Sequence, residues 1–306
     1  MQVLIVGAGA IGSLYGALLA KAGVEVAVVS RSDYESILGG GIHIRSPLGE
    51  WLFKPKAVYR EVGEAKPAPD YLILCTKVLP QLDRAALIRK ALGPDTVIVL
   101  IQNGVEIEDE IALAFPEHEL ISGLAFVCVS RTGPGRVWHQ AYGQLKLGTF
   151  PCGISPKVQE LCQAFERAGI HAEATADIVA ARWSKCVWNA PFNPLSVLSG
   201  GLTTDLLLTE EPLIRALMAE VVAIAKALGH PLPPEIIDQN IESTRRMPPY
   251  ETSMLLDFKA GRPLETEAIL GNAVRAAYRV GVKVPHLETV YALMRLRELQ
   301  LAQHRA

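Results

Sequence analysis

Apolar residues fall in short runs along the first half of the chain and at helical spacing along the second. Gln2 to Val6 is an apolar run that ends in glycines, the appearance of a buried parallel strand feeding a turn. A helix is predicted next, through Leu19 and Lys21, with Gly23 as its terminator. Val24 to Ser30 is the second strand, so this opening segment makes one βαβ unit. Apolar runs at Tyr71 to Thr76, Thr96 to Gln102 and Leu120 to Val129 continue the strand pattern. Between the second strand and Tyr71, the segment with Gly39 to Gly41, Ile42 to Ile44 and Trp51 to Phe53 reads as hairpin-like.

After Ala176 the strand signals thin out and helical stretches dominate: Asp177 to Trp188, Glu211 to Leu228, Pro234 to Arg246 and Glu267 to Arg279. Gly229 to Pro234 and Met247 to Pro249 punctuate them, and Pro285 precedes a last amphipathic helix from His286 to about Gln303. This shift sets the expected division. Residues 1–176 form an α/β domain with a doubly wound parallel sheet, and residues 177–306 form a second, all-α domain. An apolar face at Leu213, Leu217, Val221 and Ile224 packs internally or against another subunit, which leaves a homodimer open.

Composition narrows the function classes. The 306 residues are half apolar and one-fifth charged, which suits an ordinary globular protein of two domains. A net charge of −2 gives no long-range positive field, so neither nucleic acid nor an anionic membrane is expected as the main partner. Cys75, Cys128, Cys152, Cys162 and Cys186 stand singly, without the spacing of a disulfide framework or a metal site, and point to a reducing, cytoplasmic location. No basic stretch precedes the first apolar residues, and no run of about 18 apolar residues occurs, so neither a signal peptide nor a membrane span is expected. No P-loop or nucleophile elbow supports a kinase or hydrolase.

Gly7-Ala8-Gly9-Ala10-Ile11-Gly12 sits between a predicted strand and a predicted helix, the setting in which G-x-G-x-x-G marks a Rossmann dinucleotide site. The first glycine permits the tight turn, the second lets backbone approach the pyrophosphate, and the third allows close packing of helix on strand. The alternative is a glycine-rich turn without a ligand. The second strand ends in Val29-Ser30-Arg31-Ser32, where an NAD-selective site would carry a carboxylate. Arg31 suits a 2′-phosphate, so NADP (NADPH) is the expected cofactor. Arg31 as a solvated charge, with Asp33 on the ribose, is the competing reading. Lys77 and Asn103 follow two strands at the sheet edge where α/β ligands collect; as a surface charge and a turn former they would have no ligand.

The helix opening at Asp177 carries Lys185 and Asn189 on one face, with Asn193 a further turn along if the helix tolerates Pro191. Lys185 lies among Trp183, Cys186, Val187 and Trp188, and burial there would lower its pKa and make it a proton donor near neutrality. A snorkelling lysine beside asparagines that cap a broken helix is the alternative.

The stretch from Trp183 to Pro194 resembles the W-x-K-x-x-x-N-x-x-x-N-P signature of the ketopantoate reductases, also called 2-dehydropantoate 2-reductases. Ser253-Met254-Leu255-Leu256-Asp257 and Gly261-Arg262-Pro263-Leu264-Glu265-Thr266-Glu267 resemble the family's second C-terminal signature. With the glycine turn, the Lys77 loop and Gln102-Asn103-Gly104, the resemblance spans nearly the whole chain. It implies NADPH-dependent reduction of 2-dehydropantoate to pantoate, a step towards pantothenate and coenzyme A. It further implies Lys185 as the general acid, Glu265 as the carboxylate that orients substrate and lysine, and Asn103, Asn189, Asn193 and Ser253 as substrate-binding residues. Gly7, Gly9, Ala10, Ile11, Gly12, Arg31, Lys77, Asn103 and Glu265 are the residues expected at the cofactor. Read without the resemblance, Glu265 is a helix N-terminal carboxylate and Ser253 a cap. Leu255-Leu256 and Leu264 depart from the family, which more often has polar residues before the aspartate and before the glutamate. Reduction of another small 2-keto acid and a non-catalytic NADPH-binding regulator are the alternative functions.

Overall fold

The structure is a computed structural model that describes residues 1–303; the last three positions of the 177–306 domain lie outside the described residues. The chain divides into two compact units, one of Met1–Lys77, Leu82–Gln102 and Glu108–Ile178, the other of Val78–Gln81, Asn103–Ile107 and the residues from Val179 onward.

The first unit carries ten strands: β1 (Gln2–Val6), β2 (Glu25–Val29), β3 (Ile42–Ser46), β4 (Gly49–Phe53), β5 (Val58–Tyr59), β6 (Tyr71–Leu74), β7 (Val97–Ile101), β8 (Leu120–Gly133), β9 (Arg136–Thr149) and β10 (Ala172–Ala174). Its helices are α1 (Ala10–Lys21), α2 (Tyr34–Gly40), α3 (Arg84–Ile88), α4 (Asp109–Ala114) and α5 (Pro156–Arg167). The strands form one sheet in the order β4-β3-β9-β8-β7-β6-β1-β2-β5, with β10 beside β9. From β5 to β8 all neighbours are parallel, and chain order reverses at β1, which makes the crevice between β1 and β6 the switch point where such sheets take ligands. The central strands are buried on both faces. Val3, Ile5, Tyr71, Ile73, Val97 and Val99 enter one core, and Leu4, Val6, Leu72, Leu74, Ile98 and Leu100 enter the other, which is the period of two expected for a pleated strand.

The sheet is mixed rather than purely parallel. β8 and β9 run antiparallel as a long hairpin closed at Pro134–Gly135, and the expected hairpin at Ile42 to Phe53 is antiparallel β3–β4, joined to β9 through β3. The β9 strand had no clear signal because its inward positions include His139, which is 1% exposed and held by the Ser46 hydroxyl, and because Tyr142 and Gly143 adopt positive φ.

In the second unit the described elements are helical: α6 (Ile178–Leu198), α7 (Thr204–Leu207), α8 (Glu211–Ala227), α9 (Ile236–Arg246), α10 (Ser253–Lys259), α11 (Asn272–Val280) and α12 (Pro285–Gln303), with a π-helical turn at Glu267–Gly271 leading into α11. Helix α6 runs through both Pro191 and Pro194. Each proline removes an N–H donor, yet Val187, Ala190, Phe192 and Val197 are all fully buried, and Trp188 stacks on Phe192 at 4.8 Å, so tertiary packing holds the helix across the gap. Leu217, Val221 and Ile224 of α8 are buried in this unit's own core, with the partly buried Leu213 packed against it, so this face packs internally.

Candidate active site

The three glycines of the turn differ in conformation and in the space around them. Gly7 has φ +98°, and a Cβ there would meet Thr76 at 2.9 Å, so both conformation and space demand glycine. A Cβ on Gly12 would lie 2.2 Å from the Gly7 carbonyl oxygen and 2.8 Å from Ile5, which fixes how closely α1 can lie on β1. Around the Cβ position of Gly9 there is open space. Gly9 is the N-cap of α1, no side chain caps the helix, and its first turn holds no acidic residue. The amides of Ala10 and Ile11 are therefore left for an anion, and the open face at Gly9 is where a pyrophosphate would approach; these residues fit a dinucleotide.

At the exit of β2 the two readings of the ribose site separate. Arg31 is exposed and makes no hydrogen bond or ion pair among the described residues. Asp33, in contrast, is 3% exposed and already spent: Arg131 pairs with one carboxylate oxygen at 2.9 Å and the Gly135 amide donates to the other at 3.2 Å. Lys77 is half-buried at the end of the β6 loop, whose Thr76 carbonyl accepts from the Gln102 side-chain amide. Gln102 accepts in turn from Arg84, a 2% exposed guanidinium that also grips Glu110 through two nitrogens.

Lys185, Asn103 and Glu265 belong to the second unit. Lys185 lies on α6, and its Nζ donates to Asn103 Oδ1 at 2.8 Å. Burial, with the Arg182 guanidinium nearby, pushes the lysine down to about 7, against a smaller opposing pull from Glu265. Asn103 is held by its neighbours. Gly104 has φ +108° and packs its α-carbon so close to Ala268 that a Cβ would sit 2.7 Å from the Ala268 carbonyl oxygen, while the Val105 amide donates to that same oxygen. Asn272 closes the arrangement by donating to the Val105 carbonyl at 2.7 Å, so the loop is fastened to the π-helical turn that follows Glu265. The Glu265 carboxylate accepts from the Val78 amide at 3.1 Å, directly after Lys77.

Asn189 and Asn193 follow Lys185 along α6, 7% and 2% exposed. Asn193 Oδ1 is buried with no hydrogen-bond partner among the described residues. Its backbone carbonyl accepts from the Ser196 hydroxyl, and Ser196 also touches the Thr252 hydroxyl at 2.7 Å. A hydroxyl has one proton, so with Ser196 donating to Asn193, Thr252 must donate to Ser196. Thr252 in turn accepts from the Leu255 amide and thus is the N-cap of α10. Ser253 is therefore not the cap: it is the first helical residue, exposed, and brought to the Asn193 turn by its neighbour. Leu255 and Leu264 are 0% and 5% exposed, so these departures from the family pattern fill the core rather than change a polar surface.

Sequence reasoning missed Arg182. It is 2% exposed and donates to the Gly104 carbonyl at 3.1 Å, so one turn of α6 sends Arg182 and Lys185 to adjacent residues of a single loop. Its place three residues before Lys185 puts it on the same helical face, but nothing in the sequence reveals its burial. Val78 left no signal, since it contributes only its amide.

A largely parallel sheet with a glycine turn at its switch point, carried in one chain with a helical unit that holds a lysine of lowered pKa, points to a class: the NAD(P)-dependent oxidoreductases with a separate helical domain. Comparison with known proteins makes the assignment particular. Residues 3–151 match the model of the family described as ketopantoate reductase PanE/ApbA, and residues 177–298 match the model of its C-terminal region. A Nostoc protein named 2-dehydropantoate 2-reductase is 35% identical across 94% of this chain and 92% of its own length. The crystal structure of 2-dehydropantoate 2-reductase from Methylococcus capsulatus superposes with a TM-score of 0.94 at 58% identity, covering 98% of each chain. That of the Geobacter metallireducens protein of the same name gives 0.92 at 34% identity, over 97% of this chain and all of the other. The chain belongs to the ketopantoate reductase family and is an oxidoreductase.

Proposed function

We propose that this chain reduces 2-dehydropantoate to pantoate with NADPH, feeding pantothenate and coenzyme A synthesis in the cytoplasm. The observation that carries the reading is the Lys185 amine: hydrogen-bonded to Asn103 and pushed down to about 7, it is charged enough to bind a carbonyl oxygen and acidic enough to release a proton. Bound at the glycine turn, NADPH supplies the hydride. The amides of Ala10 and Ile11 would hold its pyrophosphate, Arg31 would take the 2′-phosphate and Lys77 would line the site.

Lys185 donates a hydrogen bond to the keto oxygen and, as hydride reaches the carbon, transfers its proton to the forming alkoxide; the neutral amine is then reprotonated from water. An ammonium stabilises the charge that builds on oxygen, and its pKa near neutrality balances protonation against proton release. Glu265 orients the substrate and Lys185, while the Val78 amide fixes that carboxylate. Asn103, Asn189, Asn193 and Ser253 bind the carboxylate and hydroxyl. The unpartnered Asn193 Oδ1 supports a donor there, because a buried acceptor without one costs about 1–3 kcal/mol. A panel of small 2-keto acids, each with NADPH and NADH, tests this directly. The expected result is NADPH oxidation that is fastest with 2-dehydropantoate; a different keto acid turned over far better would reassign the substrate.

A further inference from the structure

Asp33 is two residues beyond Arg31, close to where a carboxylate would favour NADH and repel a 2′-phosphate. It also stands in the N-cap position of α2, where an aspartate ordinarily accepts from the first helical amides. It does neither. No side-chain cap bond forms at α2, and the carboxylate is turned to the β8–β9 hairpin, about a hundred residues away in sequence. Arg131 Nη1 donates to Asp33 Oδ1 at 2.9 Å and to the Ser32 hydroxyl oxygen at 3.1 Å. The Ser32 hydroxyl donates to the same Oδ1 at 3.0 Å, and the Gly135 amide donates to Oδ2 at 3.2 Å. The hairpin tip is fastened as well: the Gly135 carbonyl accepts from His43, and a Cβ on Gly135 would lie 3.0 Å from the Gly41 carbonyl oxygen. The carboxylate thus has donors on both oxygens, a cation against it and 3% exposure, whereas Arg131 remains 37% exposed.

We infer that Arg131 is a specificity-determining residue for the cofactor: by neutralising Asp33 and holding it in the hairpin, it removes the carboxylate that would oppose a 2′-phosphate beside Arg31. This rests on the reading that NADPH binds at the glycine turn. The Arg131 pair converts an exit from β2 that is net neutral, with one Arg31 cation against one Asp33 carboxylate, into a net cationic one. Without Arg131, burying an uncompensated carboxylate is costly, so Asp33 turns to water and becomes free to reach the ribose position. There it accepts from the two hydroxyls of an NADH ribose and repels the phosphate of NADPH.

The test compares kcat/KM for NADPH and NADH, at saturating 2-dehydropantoate, in the full-length protein and in Arg131→Met, Asp33→Asn and the double variant. Arg131→Met lowers the NADPH-to-NADH ratio by about tenfold or more, through KM rather than kcat, since a close carboxylate–phosphate repulsion has replaced a neutral pair. The double variant regains the NADPH preference, which restoration of packing alone would not achieve. Asp33→Asn by itself leaves NADH efficiency within about twofold of the parent, because the carboxylate never touched the ribose. An unchanged ratio in Arg131→Met, or no recovery in the double variant, overturns the inference. Should Arg131→Met not fold, Asp33→Asn decides alone: a tenfold loss of NADH efficiency would place Asp33 on the ribose and overturn it. A parent protein with no preference for NADPH would sink the cofactor reading itself, whereas a preference abolished by Arg31→Ala but untouched by Arg131→Met would sink only this inference.

Discussion

Lys185 has a measurable signature. As the proposed general acid, pushed down to about 7 by burial, it predicts a kcat/KM for the reduction that is full below that value and falls by about tenfold per unit above it. A profile flat to pH 9 would remove Lys185 as the group that titrates. The same shift has a cost in stability. Unfolded lysine keeps its ordinary value of 10.5, so between about 7 and 10.5 the unfolded chain binds more protons and stability rises with pH; below 7 the full cost of the buried cation is present. Lys185→Met therefore stabilises the fold, on the order of 2 kcal/mol at pH 6 and much less at pH 10, as denaturant melts at the two pH values would measure. Loss of stability at both would mean that the Asn103 bond outweighs the desolvation. The apolar neighbours of the lysine raised its burial against a snorkelling alternative, and its proton-donor role was implied by the family resemblance. Arg182 and the Val78 amide were not legible, because a buried arginine bonded to a backbone carbonyl and a main-chain donor look like any other residue in a one-dimensional pattern.

Among the elements, β1, α1 and β2 were legible to within a residue or two, since a glycine turn between two apolar runs admits few alternatives. The β8–β9 hairpin was read only in its first half. Its second strand places His139 inward and bends at Tyr142 and Gly143, so the alternation that marks a half-buried strand is broken. Whether helix α6 continues past Pro191 was left open by the sequence, and packing by its fully buried side chains carries it through. The glycine turn yields a paired prediction. Gly9→Ala meets open space, so its melting temperature stays near the parent's while KM for NADPH rises severalfold. Gly12→Ala drives a methyl into the Gly7 carbonyl and destabilises by about 2 kcal/mol or more, as a thermal melt without cofactor would show. Equal behaviour of the two variants would mean that the glycines serve packing alone.

Across the whole molecule, the shift from strands to helices set the expected division after Ala176, but two short loops could not be assigned from sequence. Val78–Gln81 and Asn103–Ile107 are interruptions in a run of strands, and they pack with the helical unit through Glu265, Ala268 and Asn272, contacts at sequence separations no periodicity reports. The glycine turn and Lys185 belong to different units, so the proposed function assigns cofactor binding to one and proton transfer to the other. NADPH at about a hundred times its Kd should stabilise the parent and Lys185→Met alike, by about 2.7 kcal/mol. Stabilisation of the parent alone would show that the lysine contributes to cofactor affinity. The most direct measurement of the central claim is steady-state NADPH oxidation by Lys185→Met with saturating 2-dehydropantoate, alongside NADPH binding by fluorescence. The account predicts a kcat lower by about a hundredfold or more with Kd for NADPH within about twofold of the parent; a kcat close to the parent's would contradict it.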